Sequence, residues 1–147
     1  MANLEQMLEA PMPTKSEQRR RSYRPDEAEA KRVFREINKA IFGNILHLPP
    51  IRFARAKGRW GWCDGKVKAY GKEYIPYTKE IVMYPYYPSI HLFIATLAHE
   101  MVHHWQWTVQ SVERRAQGKE PLMSHGPSFT QWRKLLKKYG LPLDRHL

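Results

Sequence analysis

Residues 89–105 read SIHLFIATLAHEMVHHW, and this stretch predicts an α-helix. Its apolar residues recur close to helical spacing, as on one face of an α-helix. They are Ile90, Phe93, Ile94, Leu97, Ala98 and Met101. Ser89 is a suitable N-cap, and Pro85 and Pro88 prevent the helix from beginning earlier. We therefore predict a helix with a buried face over residues 90–109.

The same stretch contains His99, Glu100 and His103, which form an H-E-x-x-H motif. On a helix, residues four apart lie one above the other on the same face, so two imidazoles can bind one metal ion. Neutral histidine nitrogens near a carboxylate are ligands that Zn²⁺ prefers. A carboxylate beside a catalytic zinc can take a proton from the water that the metal activates. The motif therefore predicts a catalytic zinc site with Glu100 as the general base.

A catalytic zinc has a third protein ligand, which must come from elsewhere in the chain. The helix does not continue as H-x-x-G-x-x-H, because Gln106 and Val109 occupy the required positions. Glu113 and Glu120 are downstream donors, but the first lies too near the helix end and the second stands in a loop-like segment. We favour His125 as the third ligand and keep the two glutamates as alternatives.

His125 directly precedes Gly126 and Pro127, a pair that predicts the start of a second helix. Apolar residues at helical spacing follow, and Gly140 ends the pattern. These apolar residues are Phe129, Trp132, Leu135, Leu136 and Tyr139. The entrance of a well-specified helix holds His125 in a fixed position, which suits a metal ligand.

Three segments of the chain resemble the SprT-like (Spartan-type) metalloprotease domain. They are residues 97–106 (LAHEMVHHWQ), residues 125–129 (HGPSF) and residues 38–49 (NKAIFGNILHLP). That family carries an H-E-M-x-H helix and a later H-G-x-x-F segment that supplies the third histidine. The resemblance covers roughly residues 25–140, nearly all of the expected folded part.

The resemblance implies a zinc ion on His99, His103 and His125, with Glu100 as the general base. It also implies an α+β, zincin-like fold and the cleavage of DNA-associated or DNA-crosslinked proteins. The chain departs from the family pattern in two respects. Many members append a zinc ribbon of four cysteines, which Cys63 alone cannot form, and the stretch between the last two histidine ligands is long and basic here.

The remaining periodicities predict an α+β order of elements. A helix should begin at Pro25 and end at Gly43, and the active-site helix and the closing helix should follow a small antiparallel sheet. The expected strands cover residues 51–53, 60–62, 67–69 and 81–84. Asp64 and Gly65 form a typical two-residue hairpin turn between the second and third of these strands.

The first part of the chain differs in composition from the rest. Residues 14–24 contain almost no apolar side chains and several arginines, a composition typical of a flexible segment. We therefore predict a flexible basic N-terminal arm over residues 1–24 and one SprT-like metallopeptidase domain over residues 25–147. At 147 residues the chain can bury one core but hardly two.

The net charge of +11 and a pI of about 9.9 favour a nucleic-acid partner, because basic surfaces bind polyanions through counterion release. We expect contacts to phosphate groups, without sequence preference and sensitive to salt, and single-stranded DNA is one candidate. The candidate contact residues are Arg19, Arg20, Arg21, Arg24, Arg114 and Arg115.

One cysteine excludes an internal disulfide framework and a cysteine-based zinc site. No stretch has the apolar core of a signal peptide or the length of a bilayer span. We therefore expect a soluble protein that is cytoplasmic or nucleoid-associated, not secreted and without a membrane partner.

Three functions remain open from the residues. The first is a zinc metallopeptidase that acts on DNA-associated proteins, supported by the motif and the charge. The second is a metallopeptidase with an unrelated protein substrate. The third is a DNA-binding or scaffold protein whose zinc site is structural and which cleaves nothing.

Overall fold

The structure, a computed structural model, describes residues 2–11, 14–19 and 23–143. Its helices are α1 (Leu4–Leu8), α2 (Lys15–Arg19), α3 (Glu27–Ile41), α4 (Ile90–Trp105), α5 (Ser111–Ala116), α6 (Pro127–Thr130) and α7 (Arg133–Lys137). Its strands are β1 (Ile51–Phe53), β2 (Gly61–Tyr70) and β3 (Glu73–Met83), and a π-helical turn, Gln106–Gln110, joins α4 to α5. The predicted α+β order is therefore confirmed.

The strand order in the sheet is β1-β3-β2. Strand β2 pairs with β3 antiparallel, but β1 pairs with β3 parallel, so the expectation of an antiparallel sheet was wrong and the sheet is mixed. The physical reason lies in Ile81, Val82 and Met83, which are all fully buried. A run of apolar residues without alternation is typical of a central strand that is covered on both faces, and β3 takes that place.

The predicted hairpin turn at Asp64 and Gly65 was also wrong. Strand β2 continues through both residues with a shift in register, and the chain turns back at Gly71, whose φ is +62°. Gly65 is required by the ring of Trp107 instead, because a Cβ atom at this position would lie 2.8 Å from it. The indole Nε1 of Trp107 donates a hydrogen bond to the carbonyl oxygen of Lys66 (2.9 Å).

Helix α3 begins as the sequence predicts. The side chain of Asp26 accepts a hydrogen bond from the backbone N–H of Glu29 (2.8 Å), which caps the helix. After the helix, Gly43 and Asn44 both adopt positive φ. The buried face of α3 packs against α4 and β1. Its buried residues are Ala30, Val33, Phe34, Ile37, Asn38 and Ile41.

The N-terminal segment takes more part in the fold than the sequence suggests. Leu4 and Met7 on α1 are buried in the core, and α1 packs against α3 and α4. Tyr23 forms an isolated backbone bridge with Tyr87. The division of the chain at residue 24 stays a prediction, but folded structure does not begin only at Pro25, because two apolar side chains of α1 find a place in the core.

Helix α4 forms the centre of the molecule. Its N-cap is Ser89, whose side chain accepts a hydrogen bond from the backbone N–H of Leu92 (3.2 Å), as predicted. Every residue from Phe93 to His104 is buried, because the helix lies between the sheet on one side and α1 and α3 on the other. None of the helices in the described part of the chain is long and apolar enough to cross a membrane.

The C-terminal helix begins at Pro127 and the chain turns at Gly140 (φ +70°), as predicted. It is not continuous, however, because a turn at Gln131 and Trp132 separates α6 from α7. The Trp132 ring packs there against Phe42, with ring centroids 4.6 Å apart. The helical spacing of the apolar residues predicts that this segment is helical, but it does not predict the interruption at Gln131 and Trp132.

Candidate metal centre

The structure brings His99, His103 and His125 close enough to bind one metal ion. The Nε2 atom of His125 lies 3.2 Å from Nε2 of His103 and 3.4 Å from Nε2 of His99. The first two ligands stand one turn apart on α4, and the third enters from the segment before α6. The preference for His125 over the downstream glutamates therefore agrees with the geometry.

Glu113 and Glu120, the alternative third ligands, do not join this group. Among the described residues, the three histidines form the one group of three or more possible ligands whose donor atoms all lie within 4.8 Å of one another. Both glutamates are exposed, one on α5 and one in the loop that follows it. The backbone carbonyl of Glu120 accepts a hydrogen bond from Arg114 (2.6 Å), which closes that loop.

Phe129 forms the floor of the histidine cluster, because its ring contacts all three imidazoles. This contact was not predicted from the sequence. Its ring centroid lies 4.8 Å from that of His99, 4.9 Å from that of His103 and 4.8 Å from that of His125. Phe129 is 1% exposed, so the three imidazoles pack against one buried, apolar ring. Its spacing of four residues from His125, at the start of a predicted helix, is the signal that could have indicated this contact.

Gln106 also contacts the cluster. This contact was not predicted from the sequence, where Gln106 was only the residue at the glycine position of the longer H-x-x-G-x-x-H pattern. Its Oε1 atom lies 2.8 Å from Nδ1 of His103. The spacing of three positions on one helix face could have indicated this contact. Gln106 is fully buried, so the ligand and its neighbour form one polar unit inside the protein.

Glu100 lies beside the three histidines, with its Oε2 atom 4.0 Å from Nε2 of His99. Burial raises the pKa of Glu100 to about 8, and the positive charge of Arg59 acts in the opposite direction. A cation between the histidines would also lower this pKa. The carboxyl group of Glu100 therefore lies beside the histidine cluster with its pKa raised to about 8.

The environment of His103 favours its neutral form. Burial lowers the pKa of His103, the hydrogen bond to Gln106 opposes this effect, and the neighbouring His125 lowers the pKa further. Neutral imidazole is the form that binds metal ions. The site therefore holds this ligand ready for a cation.

The geometry fits zinc. In a tetrahedral site with Zn–N bonds of 2.0–2.1 Å, two ligand nitrogens lie about 3.3–3.4 Å apart. The measured separations of 3.2 and 3.4 Å agree with this value. Three imidazoles, with a carboxyl group next to them and not among them, fit a zinc ion that keeps one position open for water or substrate.

His104 lies off the ligand face, as its position on the helix predicts. Its Nε2–H donates to the backbone carbonyl of His47 (2.8 Å), and its Nδ1 lies 2.6 Å from the Thr78 hydroxyl. Burial lowers the pKa of His104. Both ring nitrogens therefore serve to join α4 to the loop before β1 and to β3.

The arginines predicted to contact nucleic acid occupy different environments. Arg19 is exposed at the end of α2, and Arg20 and Arg21 lie outside the described residues. The guanidinium of Arg24 lies 4.8 Å from the ring centroid of Tyr86, in the loop before α4. This arginine thus lies next to an aromatic side chain in the loop that leads to α4.

Arg114 and Arg115 have structural contacts on α5. Arg114 donates to the carbonyl of Glu120, and Arg115 donates to the carbonyl of Tyr74 (3.2 Å). The second bond joins α5 to the far end of the β2–β3 hairpin. These two arginines therefore support the shape of the surface around the long segment between His103 and His125.

No protein-family model matches the chain, and no curated protein matches it. The functional conclusion therefore depends on the residues and geometry of the site itself.

Proposed function

We propose that this protein is a zinc-dependent metalloendopeptidase of the SprT-like type that acts on DNA-associated or DNA-crosslinked proteins. The observation that carries the proposal is the convergence of the Nε2 atoms of His99, His103 and His125 beside the carboxyl group of Glu100. A zinc-dependent hydrolase site needs a metal ion with one open position and an adjacent proton acceptor.

The three histidines would hold the zinc ion, which when bound supplies a Lewis acid and lowers the pKa of water. The Glu100 carboxylate accepts a proton from the attacking water and delivers it to the nitrogen of the leaving amine. The apolar floor of Phe129 excludes water from one side of the site, which strengthens the electrostatic interactions there.

The substrate backbone is expected to bind along the open edge of β2, which pairs only with β3 in the described part of the chain. The hydrogen bonds of β3 indicate which backbone N–H and C=O groups of β2 point away from β3, toward a possible substrate. The N–H of Ile81 and the carbonyl of Met83 bond toward β1, so the alternate residue Val82 bonds toward β2, where it faces Trp62. The residues on either side of Trp62 therefore direct their N–H and C=O groups away from β3.

Those two residues are Gly61 and Cys63, and both lie next to α4. A Cβ atom at Gly61 would lie 3.2 Å from Cγ2 of Thr96, one turn before the first ligand. Burial raises the pKa of the Cys63 thiol to about 12, and the charge of Glu100 adds to this effect. The second contribution reflects the short distance between Cys63 and Glu100. An extended peptide that added to β2 would therefore pass close to Glu100.

A cleft of about 920 Å³ adjoins the histidine cluster at His125 and Phe129. Its lining includes His125 and Phe129, and the cationic side chains of Arg133 and Lys137 on α7. A cleft of this size accepts the side chains of a polypeptide and opens directly beside the third ligand. It supports a substrate that extends across the metal centre.

The nucleic-acid part of the proposal is supported by charge. The chain carries +11, and the guanidiniums of Arg24 and Arg55 lie 4.8 and 5.5 Å from the same Tyr86 ring centroid. An aromatic ring that holds two cations presents them together to a phosphate backbone. We expect binding without base preference, which would bring DNA-associated proteins to the site.

The alternative is a DNA-binding or scaffold protein with a structural zinc site and no proteolysis. The burial of Glu100, which is 3% exposed, is the observation that favours it. Structural zinc sites normally have four protein ligands, however, and the described residues supply a group of three. A metallopeptidase with a substrate unrelated to DNA would have the same metal centre.

Cleavage of an unstructured lysine-rich protein, with and without single-stranded DNA, tests the proposal. The parent should cleave it, and Glu100→Gln should retain zinc but lose about 10²–10⁴-fold in rate. Glu113→Gln, which changes an exposed glutamate on α5, is the matched control and should be as active as the parent. A Glu100→Gln protein with parental activity would contradict the assignment, and cleavage that DNA does not stimulate would indicate an unrelated substrate.

A further inference from the structure

Gln106 is the first residue of the π-helical turn that follows α4, and its side chain is fully buried. Its Oε1 atom lies 2.8 Å from Nδ1 of His103 and 3.3 Å from the backbone N of Ser124. Its Nε2 atom donates to the carbonyl of Ser124 (3.0 Å) and to the hydroxyl of Ser128 (2.7 Å). One amide therefore contacts a ligand on α4 and both sides of the ligand at position 125.

The orientation of this amide is determined by the backbone of Ser124. The backbone N–H can only donate and the backbone carbonyl can only accept. The oxygen of Gln106 must therefore face the N–H, and its NH₂ group must face the carbonyl. A flipped amide would bring two donors together and two acceptors together, so the assignment follows from the hydrogen-bond network.

This orientation decides the tautomer of His103. Because Oε1 of Gln106 can only accept, Nδ1 of His103 carries the hydrogen of the neutral ring. The lone pair is then on Nε2, the atom that lies 3.2 Å from Nε2 of His125. The second nitrogen of a metal-binding histidine is commonly held in this way, and the contact orients the ring.

The same amide holds the third ligand in place. Ser124 and Ser128 flank His125, and in the described residues both are tied to α4 through Gln106. Between His103 and His125 the chain passes through the π-helical turn, α5 and the loop that follows it. Gln106 thus connects the two ligands through one buried side chain. Single π-helical turns of this kind are often found at functional sites.

We propose that Gln106 is the positioning residue of the metal centre: it selects the metal-binding tautomer of His103 and fixes the segment that carries His125. The proposal rests on the zinc site proposed above. It adds a role for a residue that is not a ligand and does not touch the substrate.

The test compares Gln106→Met with Gln110→Met. Methionine is close to glutamine in size but has no amide, and Gln110 lies one turn further on with its Oε1 atom without a hydrogen-bond partner among the described residues. Two properties are measured at mildly alkaline pH: the zinc affinity, by competition with a chelator, and the side-chain ¹⁵N signals of His103 in metal-free protein. Thermal unfolding shows which variants are folded.

We expect Gln106→Met to bind zinc about 10- to 100-fold more weakly than the parent and to lose the pure Nδ1–H tautomer of His103. Gln110→Met should behave as the parent in both measurements. Parental zinc affinity together with a parental tautomer in folded Gln106→Met would overturn the proposal.

Gln106→Glu is the second test variant and is used if Gln106→Met does not fold. It keeps the acceptor for His103 and loses the donor to Ser124, so the Nδ1–H tautomer should persist while zinc binding weakens. Loss of that tautomer in Gln106→Glu would overturn the proposal. A parent protein that binds no zinc would refute the proposed function, and the tautomer comparison in metal-free protein would still decide the role of Gln106.

Discussion

The Nε2 atoms of His103 and His125 lie 3.2 Å apart, although 22 residues separate the two positions in the chain. Two nitrogen lone pairs at this distance repel each other unless a proton or a cation lies between them. The fold therefore brings these rings together in a way that favours a shared proton or a bound cation.

Zinc should stabilise the protein, because it binds the folded site and not the separated histidines of the unfolded chain. At a free zinc concentration about 1,000 times the Kd, the gain is about 4 kcal/mol. This corresponds to a rise in Tm of roughly 10 °C, measured by thermal unfolding with and without zinc. His125→Ala should lose most of the rise, whereas His47→Ala, which changes an exposed histidine, should keep it. An unchanged zinc response in His125→Ala would exclude it as a ligand.

The contribution of Glu100 to the stability of the metal-free protein should fall as pH rises from about 5 to about 8. Burial raises the pKa of Glu100 from its ordinary 4.5 to about 8 in the folded state, so the unfolded chain releases this proton first. In that range the Glu100 carboxyl group is protonated in the folded state and ionised in the unfolded chain, so its contribution to stability falls as pH increases. Glu100→Gln removes this proton exchange.

The measurement is denaturant unfolding of both proteins in the presence of a chelator. The stability of Glu100→Gln relative to the parent should increase across this range, and Glu113→Gln should show no such trend. A difference between Glu100→Gln and the parent that stays constant with pH would show that Glu100 titrates normally.

Gly65→Ala should destabilise the protein by about 1–3 kcal/mol, because its methyl group would lie 2.8 Å from the ring of Trp107. The same substitution should cost much less in a Trp107→Leu background, where the ring is absent. Denaturant unfolding of the four proteins gives the coupling energy directly. If Gly65→Ala lowered the free energy of unfolding equally in both backgrounds, glycine would be needed for the backbone conformation and not to leave space for the indole.

Binding of single-stranded DNA should weaken steeply with salt. Arg55→Gln removes a guanidinium that lies over Tyr86 and should reduce the slope of log K against log salt by about 0.7. Arg35→Gln removes an exposed charge on α3 and should leave the slope unchanged. Fluorescence anisotropy at several salt concentrations measures both slopes, and identical slopes for Arg55→Gln and the parent would place the contact elsewhere.

Local periodicity predicted the elements that carry the site. The spacing of apolar residues and the cap at Ser89 are properties of one helix, so α4 and the shared face of His99 and His103 could be predicted directly. The pair Gly126 and Pro127 similarly predicted where the last helical segment begins. These signals depend only on neighbours in the sequence.

Contacts between distant segments could not be predicted in the same way. Asp64 and Gly65 have the composition of a turn, but the ring of Trp107 packs on this glycine and the strand continues. The burial of Leu4 and Met7 depends on a space between α3 and α4 that only the assembled core provides. The partners of Gln106 likewise come from the segment around His125.

The most direct test of the zinc site is a crystal structure of the zinc-loaded protein with anomalous diffraction recorded on both sides of the zinc absorption edge. We predict one anomalous peak at bonding distance from the Nε2 atoms of His99, His103 and His125, with the carboxyl group of Glu100 beside it and not bound to it. A peak that lacks any one of these three histidines, or no peak in protein that retains this fold, would contradict the account.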